Sequence, residues 1–138
     1  MRSHQASIEA RTKGRGFTDV TEAVARVVAE SGVQTGLCTV FLRHTSASLV
    51  IQENADPAVL RDLERWISEL APEARPWEHD DEGPDDMPAH AKAAITRASE
   101  NVPVVRGRLA LGTWQAIYVW EHRARPHTRE LVVQVLGA

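Results

Sequence analysis

The stretch VPVVRGRLALGTWQAIYVWEHR, residues 102–123, decides the fold class of this chain together with RELVVQVLGA, residues 129–138. Both stretches are rich in apolar and β-branched residues, and these alternate with polar ones in the way that is typical of β-strands. Turns are predicted at Gly107 and around Pro126. The last third of the chain is therefore expected to consist of strands.

The first half of the chain combines strands with one helix. SHQASIEART, residues 3–12, predicts an extended segment that ends at the glycines following it. A helix is predicted from an N-cap at Thr18 to Gly32, because apolar residues recur there at helical spacing. LCTVFLRHT, residues 37–45, and SLVIQE, residues 48–53, flank a short polar turn and are predicted to pair as a β-hairpin.

The middle of the chain carries two helical segments that an acidic loop separates. In DPAVLRDLERWISELAP, residues 56–72, Asp56 can cap a helix and Pro57 can occupy its first position. Its apolar residues form one continuous face with Leu63 at the centre. Residues 72–86 show no apolar period, so a loop is predicted there, with a short helix after it. Because helices and strands do not strictly alternate, the sequence predicts an α+β fold.

Length and composition bound the class of protein. The chain has 138 residues, which fits one domain over residues 1–138. Its net charge of −3 argues against a general nucleic-acid binder. Cys38 is the single cysteine, which excludes an internal disulfide and fits a reducing compartment. No apolar run reaches the about 18 residues of a membrane span, and no export signal is evident, so a soluble cytoplasmic protein is expected.

The densest charge in the chain lies in HDDEGPDDMPAH, residues 79–90, where five acids separate two histidines. Residues 72–86 hold seven acids and one arginine, a balance of −6. One interpretation is a solvated loop, and the other is a loop that holds a metal or another cation. The turn pair Gly83-Pro84 favours a fixed shape and hence the second interpretation.

Two positions near this segment fit more than one role. His44 ends a strand row formed by the apolar residues of 38–42. A buried imidazole needs partners for both nitrogens, so His44 is either a hydrogen-bonded core histidine or a ligand. Asp86 is a candidate N-cap of the second helix, and His90 lies four residues further on. The two side chains would then share one helix edge.

Other polar and aromatic positions also leave alternatives open. Glu53 and Asn54 end a strand just before a capped helix, where an anion could bind or where the side chains could simply form the turn. Most of the arginines in the last third are expected at the surface, and one or two of them are expected to reach a phosphate; they are Arg106, Arg108, Arg123, Arg125 and Arg129. A row on one strand face is interpreted as core, subunit interface or substrate platform, and consists of Trp114, Tyr118, Trp120 and His122.

Three blocks of the sequence closely resemble the YjbQ family, also called secondary thiamine-phosphate synthase. They are HTSASLVIQENADPAVLRDLE (44–64), HDDEGPDDMPAHAKAAI (79–95) and PVVRGRLALGTWQAIYVWEHR (103–123), within a similarity from about Ser3 to Gly137. The resemblance implies an α+β sandwich of mixed or antiparallel strands with two to three helices, assembled as a homotrimer. It also implies a transferase activity, weak or secondary, that joins a pyrimidine diphosphate to a thiazole phosphate and releases diphosphate.

The resemblance further implies the residues of the site. The catalytic candidates are Glu53, Glu82, Asp85 and Asp86, the substrate-binding candidates are Ser46, Asn54 and Gln115, and the metal candidates are His44, His79 and His90. Acids beside a diphosphate are useful if a divalent cation lies between them, which fits magnesium. Three histidines instead favour zinc. The sequence leaves both metals open.

Three functions are compatible with these residues. The first is the metal-assisted transferase, the second is a metal-dependent hydrolase of a small phosphorylated compound, and the third is a trimer that binds a metal or ligand without catalysis. The sequence contains neither a Walker loop nor a GxSxG elbow, so nucleotide-driven and acyl-transfer chemistry are not expected. A small phosphorylated molecule is the expected partner, with no nucleic acid or membrane.

The sharpest hypothesis concerns the histidines. His44, from a strand end, is predicted to meet His79 and His90 around one divalent metal, because imidazole is the commonest transition-metal ligand. One of the acids between the last two would orient a ligand or act as acid or base. His4 lies in a terminal segment, and His4→Ala is expected to leave the metal in place.

Overall fold

The architecture is a sandwich of two antiparallel sheets. One helix contributes a face to the core between the sheets, and the other two helices pack on the outside of the smaller sheet. The computed structural model describes all of residues 1–138. Eight strands and three helices follow one another as β1 (Arg2–Arg11), β2 (Gly16–Asp19), α1 (Thr21–Ser31), β3 (Thr35–Leu42), β4 (Ala47–Glu53), α2 (Pro57–Leu70), α3 (Asp86–Ile95), β5 (Ser99–Val105), β6 (Arg108–Leu109), β7 (Gln115–Glu121) and β8 (Thr128–Gly137). The predicted α+β fold class is therefore confirmed.

The strands form two sheets. The larger sheet has five strands in the order β1-β8-β3-β5-β6, and the smaller sheet has three in the order β2-β7-β4. Every neighbouring pair is antiparallel. This arrangement leaves β8 and β7, which come from the two stretches at the end of the sequence, at interior positions of the two sheets.

The core lies between the two sheets and includes one face of α1. Val40 and Val133 are directly paired on the larger sheet, and neither is exposed. Val119 of the smaller sheet and Val24 of α1 belong to the same buried cluster. Along β3 and β8 the buried positions alternate with more exposed ones, as the two-residue period requires. Burial of each such side chain contributes about 1.5–3 kcal/mol.

The other face of the smaller sheet is covered by α2, which packs against β2 and β4. Tyr118 and Trp120 are buried on this face, and the Trp120 Nε1–H donates to Glu64 Oε1 of α2 at 2.9 Å. Phe17 of β2 stacks on Trp120, with 4.6 Å between ring centroids. For these two residues the core interpretation of the aromatic row is therefore confirmed. Trp114 precedes β7 and is 64% exposed.

Local signals predicted α2 well. The helix begins at Pro57, and Asp56 Oδ1 accepts a hydrogen bond from the Ala58 N–H at 2.9 Å, which confirms the predicted cap. The apolar stripe is only partly covered, however. Ile67 is fully buried, whereas Trp66 is 53% exposed.

Two predictions about local structure are wrong. The hairpin of residues 37–45 and 48–53 does not form, because β3 pairs with β5 and β8 in the larger sheet whereas β4 pairs with β7 in the smaller one. The short link between them instead carries the chain across the sandwich. Thr18 does not cap α1, since it lies in β2, and Asp19 Oδ1 accepts from the N–H of Thr21 at 2.9 Å.

The outer face of the larger sheet carries no helix. Leu37, Phe41 and Leu136 point away from the core on neighbouring strands and are 42%, 47% and 42% exposed. None of the three helices has the length and apolar character needed to cross a membrane.

Candidate functional site

The loop after α2 returns His79 to the first turn of α3. The His79 Nε2 lies 2.7 Å from Asp86 Oδ2, and the His90 Nε2 lies 3.1 Å from the same oxygen. The two imidazole rings are 5.6 Å apart between centroids. Asp86 is the first residue of α3 rather than its N-cap, a position that Asp85 takes. The predicted sharing of one helix edge by Asp86 and His90 holds all the same.

A backbone carbonyl orients the ring of His90 through its other nitrogen. His90 Nδ1 lies 3.0 Å from the carbonyl oxygen of Thr45, which can only accept a hydrogen bond. Nδ1 of His90 therefore carries a proton, and Nε2 is the nitrogen that faces Asp86. A backbone carbonyl that holds the other ring nitrogen is the usual way in which a metal-binding histidine is oriented.

Asp86 is the centre of the cluster and is held from two sides. Its side chain is 4% exposed, and its Oδ1 forms an ion pair with Arg123 Nη1 at 2.9 Å. Burial by itself would raise the pKa of Asp86, but the hydrogen bond from His79 and the nearby positive charges of His90 and Arg123 lower it below its usual value. The same hydrogen bond to Asp86 raises the pKa of His79.

Arg123 organises the segment, and sequence reasoning had placed it only among surface arginines. Its Nε donates to Asp85 Oδ2 at 2.9 Å, and its Nη2 donates to the carbonyl oxygen of Glu82 at 3.1 Å. The N–H of Ala124 also donates to Asp85 Oδ2, at 2.8 Å. Burial alone would raise the pKa of Asp85, but these hydrogen bonds lower it. In the sequence, the excess of acids over bases in residues 72–86 was the one indication that a cationic side chain from elsewhere would pair with this loop.

The donor set of the cluster fits a transition-metal ion. One ligand atom from each of His79, Asp86 and His90 can be chosen so that all lie within 4.8 Å of one another. Two imidazoles and one carboxylate suit zinc and related ions, whereas magnesium prefers oxygen ligands. Three protein ligands leave a coordination position free, as in catalytic rather than structural zinc sites. His79, Asp81 and Glu82 form a second, more exposed group of the same size.

His44 lies outside this group because both of its nitrogens are engaged elsewhere. Its Nε2 accepts a hydrogen bond from the N–H of Glu130 at 2.7 Å, and its Nδ1 lies 3.5 Å from Arg129 Nη1. Burial and the charge of Arg129 lower the pKa of His44. His44 and His90 nevertheless line one cavity of about 280 Å³. The structure thus brings two of the three predicted metal ligands together and places the third beside them.

A buried ion pair lies next to His44. Arg129 and Glu121 contact each other between the two sheets, and Thr12 Oγ1 donates to Glu121 Oε1 at 2.7 Å. Arg129 Nη2 also donates to Ser46 Oγ at 3.0 Å, which leaves the predicted substrate-binding Ser46 buried in this network. Hydrogen bonds from Arg129 and Thr12 lower the pKa of Glu121 against the opposing effect of burial. Glu121 shares a strand face with Ile117 and Val119, and a buried acid requires a cationic or hydrogen-bonding partner. This pattern was the one indication in the sequence that such a pair exists.

A cavity of about 700 Å³ lies on the other side of the cluster. It is lined by His79 and by the half-buried Trp77, and its remaining lining residues are Glu78, Asp80, Asp81 and Met87. Glu82 Oε2 lies 3.1 Å from His79 Nε2, on a side chain that is 62% exposed. Candidate ligands, an acid and an aromatic side chain therefore meet at one opening.

The remaining predicted residues lie at the far end of the smaller sheet. We call the end that contains Ala47 and Glu121 the histidine end, and the opposite end, where Glu53 pairs with Gln115, the glutamine end. The seven residues of β4 separate the two ends by about 20 Å. At the glutamine end Asn54 Nδ2 donates to the carbonyl oxygens of Thr113 and Gln115, at 3.0 Å and 3.3 Å.

Glu53 and Gln115 use their side chains in the same local way as Asn54. Glu53 Oε2 accepts from the N–H groups of Ala55 and Asp56, at 3.0 Å and 3.2 Å. Gln115 Oε1 accepts from the N–H of Gly112 at 2.8 Å. The turn interpretation of Glu53 and Asn54 therefore describes what their side chains do in this structure.

The fold and the cluster together define the class of protein: an antiparallel α+β sandwich with a histidine–carboxylate cluster at the start of its last helix. The family model described as "UPF0047 protein YjbQ-like" matches residues 5–138. The chain belongs to the YjbQ, or UPF0047, family.

Relatives cover nearly the whole chain. The UPF0047 protein sll1880 of Synechocystis is 54% identical over 99% of this chain and 93% of its own length. The YjbQ protein of Salmonella typhimurium is 41% identical over 97% of this chain and 98% of its own. A crystal structure of a hypothetical protein from Aeropyrum pernix superposes with a TM-score of 0.88 at 32% identity, covering 97% of this chain and 98% of that one.

Proposed function

We propose that this chain is a metal-assisted transferase of the thiamine-phosphate-synthase type, which joins a pyrimidine diphosphate to a thiazole phosphate and releases diphosphate. The observation that carries the metal-assisted part is the convergence of His79 and His90 on one oxygen of Asp86. The choice of substrates follows the resemblance of the sequence blocks to the YjbQ family. The activity is expected to be weak or secondary.

The chain's own residues have distinct roles in this proposal. His79, Asp86 and His90 would hold a divalent ion, and zinc suits their donor set best. Such an ion neutralises charge on a departing diphosphate. Arg123 holds Asp86 in place through Oδ1, so Oδ2 remains directed toward the two imidazoles. Glu82 is exposed beside His79, where it can accept or deliver a proton.

The cavities on the two sides of the cluster support a reaction of two substrates. The larger one offers the indole of Trp77, against which a heteroaromatic ring can stack. The smaller one has the exposed Arg97 in its lining, and an arginine suits a phosphate. A ligand in each cavity would approach the cluster from its own side.

Hydrolysis of a small phosphorylated compound is the second candidate. The position that three protein ligands leave free is also the position in which hydrolytic zinc sites hold water. A trimer that binds its ligand without catalysis is the third candidate. Product analysis separates all three.

The test incubates the zinc-loaded protein with the pyrimidine diphosphate, with and without the thiazole phosphate. Diphosphate and thiamine phosphate that appear only with both substrates support the transferase. Diphosphate release from the pyrimidine compound alone indicates the hydrolase, and no product indicates a binding protein. His90→Ala should abolish the product, whereas His4→Ala on β1 is the matched control and should retain it.

We also propose that the chain acts in the cytoplasm as a homotrimer. Its free, buried Cys38 fits a reducing compartment. The exposed Leu37, Phe41 and Leu136 on the bare face of the larger sheet supply apolar surface for subunit contacts. Light scattering at low concentration tests the assembly, and a stable monomer would contradict it. Phe41→Glu should weaken the trimer, whereas Ala25→Glu, at an exposed position of α1 away from this face, is the control.

A further inference from the structure

A second cleft, separate from the histidine cluster, lies between β2 and α2. It has a volume of about 480 Å³ and is lined by Phe17, Arg15, Arg61 and Arg65, among others. A neighbouring cavity of about 280 Å³ shares Arg15 and Phe17 with it and adds Arg11 and Lys13. Five cationic side chains therefore line two adjoining cavities. In a chain of net charge −3 this is a local concentration of positive charge.

Acidic side chains do little to balance these cations. Glu64 is the one acid in the lining, and its carboxylate accepts hydrogen bonds from Trp120 Nε1 at 2.9 Å and from Ser68 Oγ at 3.0 Å. Arg15 pairs with Glu73 and Arg65 pairs with Asp62, but both ion pairs are exposed. Exposed pairs of this kind contribute little and exchange readily for a better anion.

Arg61 and Lys13 make no ion pair with any acidic side chain, and neither does Arg11. All three are exposed at the surface beside the cleft. Arginine binds phosphate through two parallel N–H donors, and an arginine without a partner has both of them available. The cleft therefore offers unused donors for an anion.

The wall of the cleft is aromatic. Phe17 is half-buried, and the indole of Trp120 backs it with an angle of 25° between the two ring planes. Phe17 also meets Tyr118 edge to face, with 5.7 Å between centroids. This packing fixes the phenyl ring, and a fixed ring is a good surface for a flat ligand to stack on.

A buried cation lies behind the cleft. Lys92 of α3 is 2% exposed, and its ammonium group makes one hydrogen bond, to Ser68 Oγ at 3.3 Å. An ammonium group has three N–H donors, so most of its hydrogen-bonding capacity is unused. Ser68 itself lines the cleft. An anion in the cleft would bring compensating charge toward a cation that the fold leaves poorly paired.

We propose that this cleft binds a small phosphate ester of an aromatic ring, with the ring against Phe17 and the phosphate between Arg61, Arg65 and Arg15. The site is distinct from the histidine cluster, because the two share no lining residue. Binding here therefore needs no metal.

The test is isothermal titration calorimetry with phenyl phosphate on EDTA-treated protein, with inorganic phosphate and phenol as the two partial ligands. Phenyl phosphate should bind more tightly than either. The double variant R61Q/R65Q should weaken it about tenfold or more, because each arginine supplies charge-assisted hydrogen bonds. Arg26→Gln, an exposed arginine on α1, is the matched control and should bind like the wild type.

A separate variant tests the ring. Phe17→Leu should weaken phenyl phosphate toward the affinity of inorganic phosphate, while inorganic phosphate itself binds as before. Circular dichroism checks that this variant is folded, and if it is not, the comparison of phenyl phosphate with inorganic phosphate on the wild type still tests the ring. The proposal would be overturned if R61Q/R65Q bound phenyl phosphate as tightly as the wild type, or if the wild type did not bind phenyl phosphate at all. Because the protein is metal-free, either outcome leaves the proposed transferase untouched.

Discussion

The two ends of the smaller sheet carry similar polar residues and use them in opposite ways. At the histidine end, His79 and His90 converge on one oxygen of Asp86. At the glutamine end, Asn54 and Gln115 hydrogen-bond to the backbone beside them. Side chains that hydrogen-bond to the backbone of their own turn have few polar atoms left to bind a ligand. Side chains that converge from distant segments can bind one ligand together. The difference shows that polar residue type alone does not identify a site.

The largest effect is expected from removal of a ligand at the histidine end. His90→Ala or His79→Ala should weaken zinc binding more than about 100-fold, because even residues that merely orient a ligand contribute about 10–100-fold. His44→Ala should change zinc affinity far less, since both nitrogens of His44 have partners outside the cluster. Competition with a chromophoric chelator measures all three.

The matched control for these variants comes from the other end. Gln115→Ala removes a polar side chain of the same sheet and should leave zinc affinity as in the wild type. If His44→Ala lost zinc as completely as His90→Ala, the three-histidine hypothesis would be supported in place of the cluster centred on Asp86.

The next effect concerns the arginine that supports the cluster. Arg123→Gln removes the hydrogen bond to Asp85 and the ion pair with Asp86, and we expect zinc affinity to fall by about 10–100-fold. Arg125→Gln is the control, because Arg125 is exposed two residues away and carries the same charge. Similar losses in both variants would mean that net charge, and not the position of Arg123, sets the affinity.

What the sequence predicted well was local. The cap and first residue of α2 follow from neighbouring residues, Asp56 and Pro57, and the spacing of Asp86 and His90 follows from the helix repeat. The need of His44 for two partners was also predicted, and the structure supplies them to this half-buried ring from Glu130 and Arg129. Such signals are complete within a few residues, so one sequence suffices to interpret them.

What the sequence could not predict was pairing between distant segments. Two apolar strands joined by a short link look alike whether they pair with each other or, like β3 and β4, belong to different sheets. Arg123 lies 38 residues from Asp85, and nothing local connects the two. The separation of Glu53 from the histidine end is likewise a consequence of strand length and topology. The family resemblance named these residues without saying which of them meet.

A smaller effect, on stability, is expected at the glutamine end. Asn54→Ala removes donors to the carbonyl oxygens of Thr113 and Gln115 and should lower the free energy of unfolding by about 1 kcal/mol. Zinc affinity should not change, because Asn54 lies at the opposite end of β4 from the cluster. Urea unfolding in EDTA and a zinc titration measure the two quantities. Weakened zinc binding in a folded Asn54→Ala protein would break the contrast between the ends.

The smallest effect concerns a fourth histidine at the histidine end, His122, which is closed to ligands. His122 is 1% exposed, its Nε2 lies 2.9 Å from Ser48 Oγ, and its Nδ1 has no hydrogen-bond partner. Burial, with the charge of Lys92 as a further cause, lowers the pKa of His122 from 6.5 to about 3. Between these two pKa values, His122 is protonated in the unfolded chain and neutral in the folded chain. Stability attributable to His122 is present above the unfolded pKa and is lost as the pH falls from there toward the folded pKa.

Between pH 7 and pH 6 this linkage amounts to a loss of about 0.7 kcal/mol in the free energy of unfolding. His122→Gln cannot titrate and can still donate to Ser48 Oγ, so its stability should fall less than that of the wild type over the same interval. Urea unfolding in EDTA at several pH values measures the difference between the two proteins, in which the contributions of the other titrating groups cancel. If the free energies of unfolding of the two proteins changed in parallel with pH, the ring of His122 would be taking up a proton in the folded state. His122 would then not be closed to protons as its burial indicates.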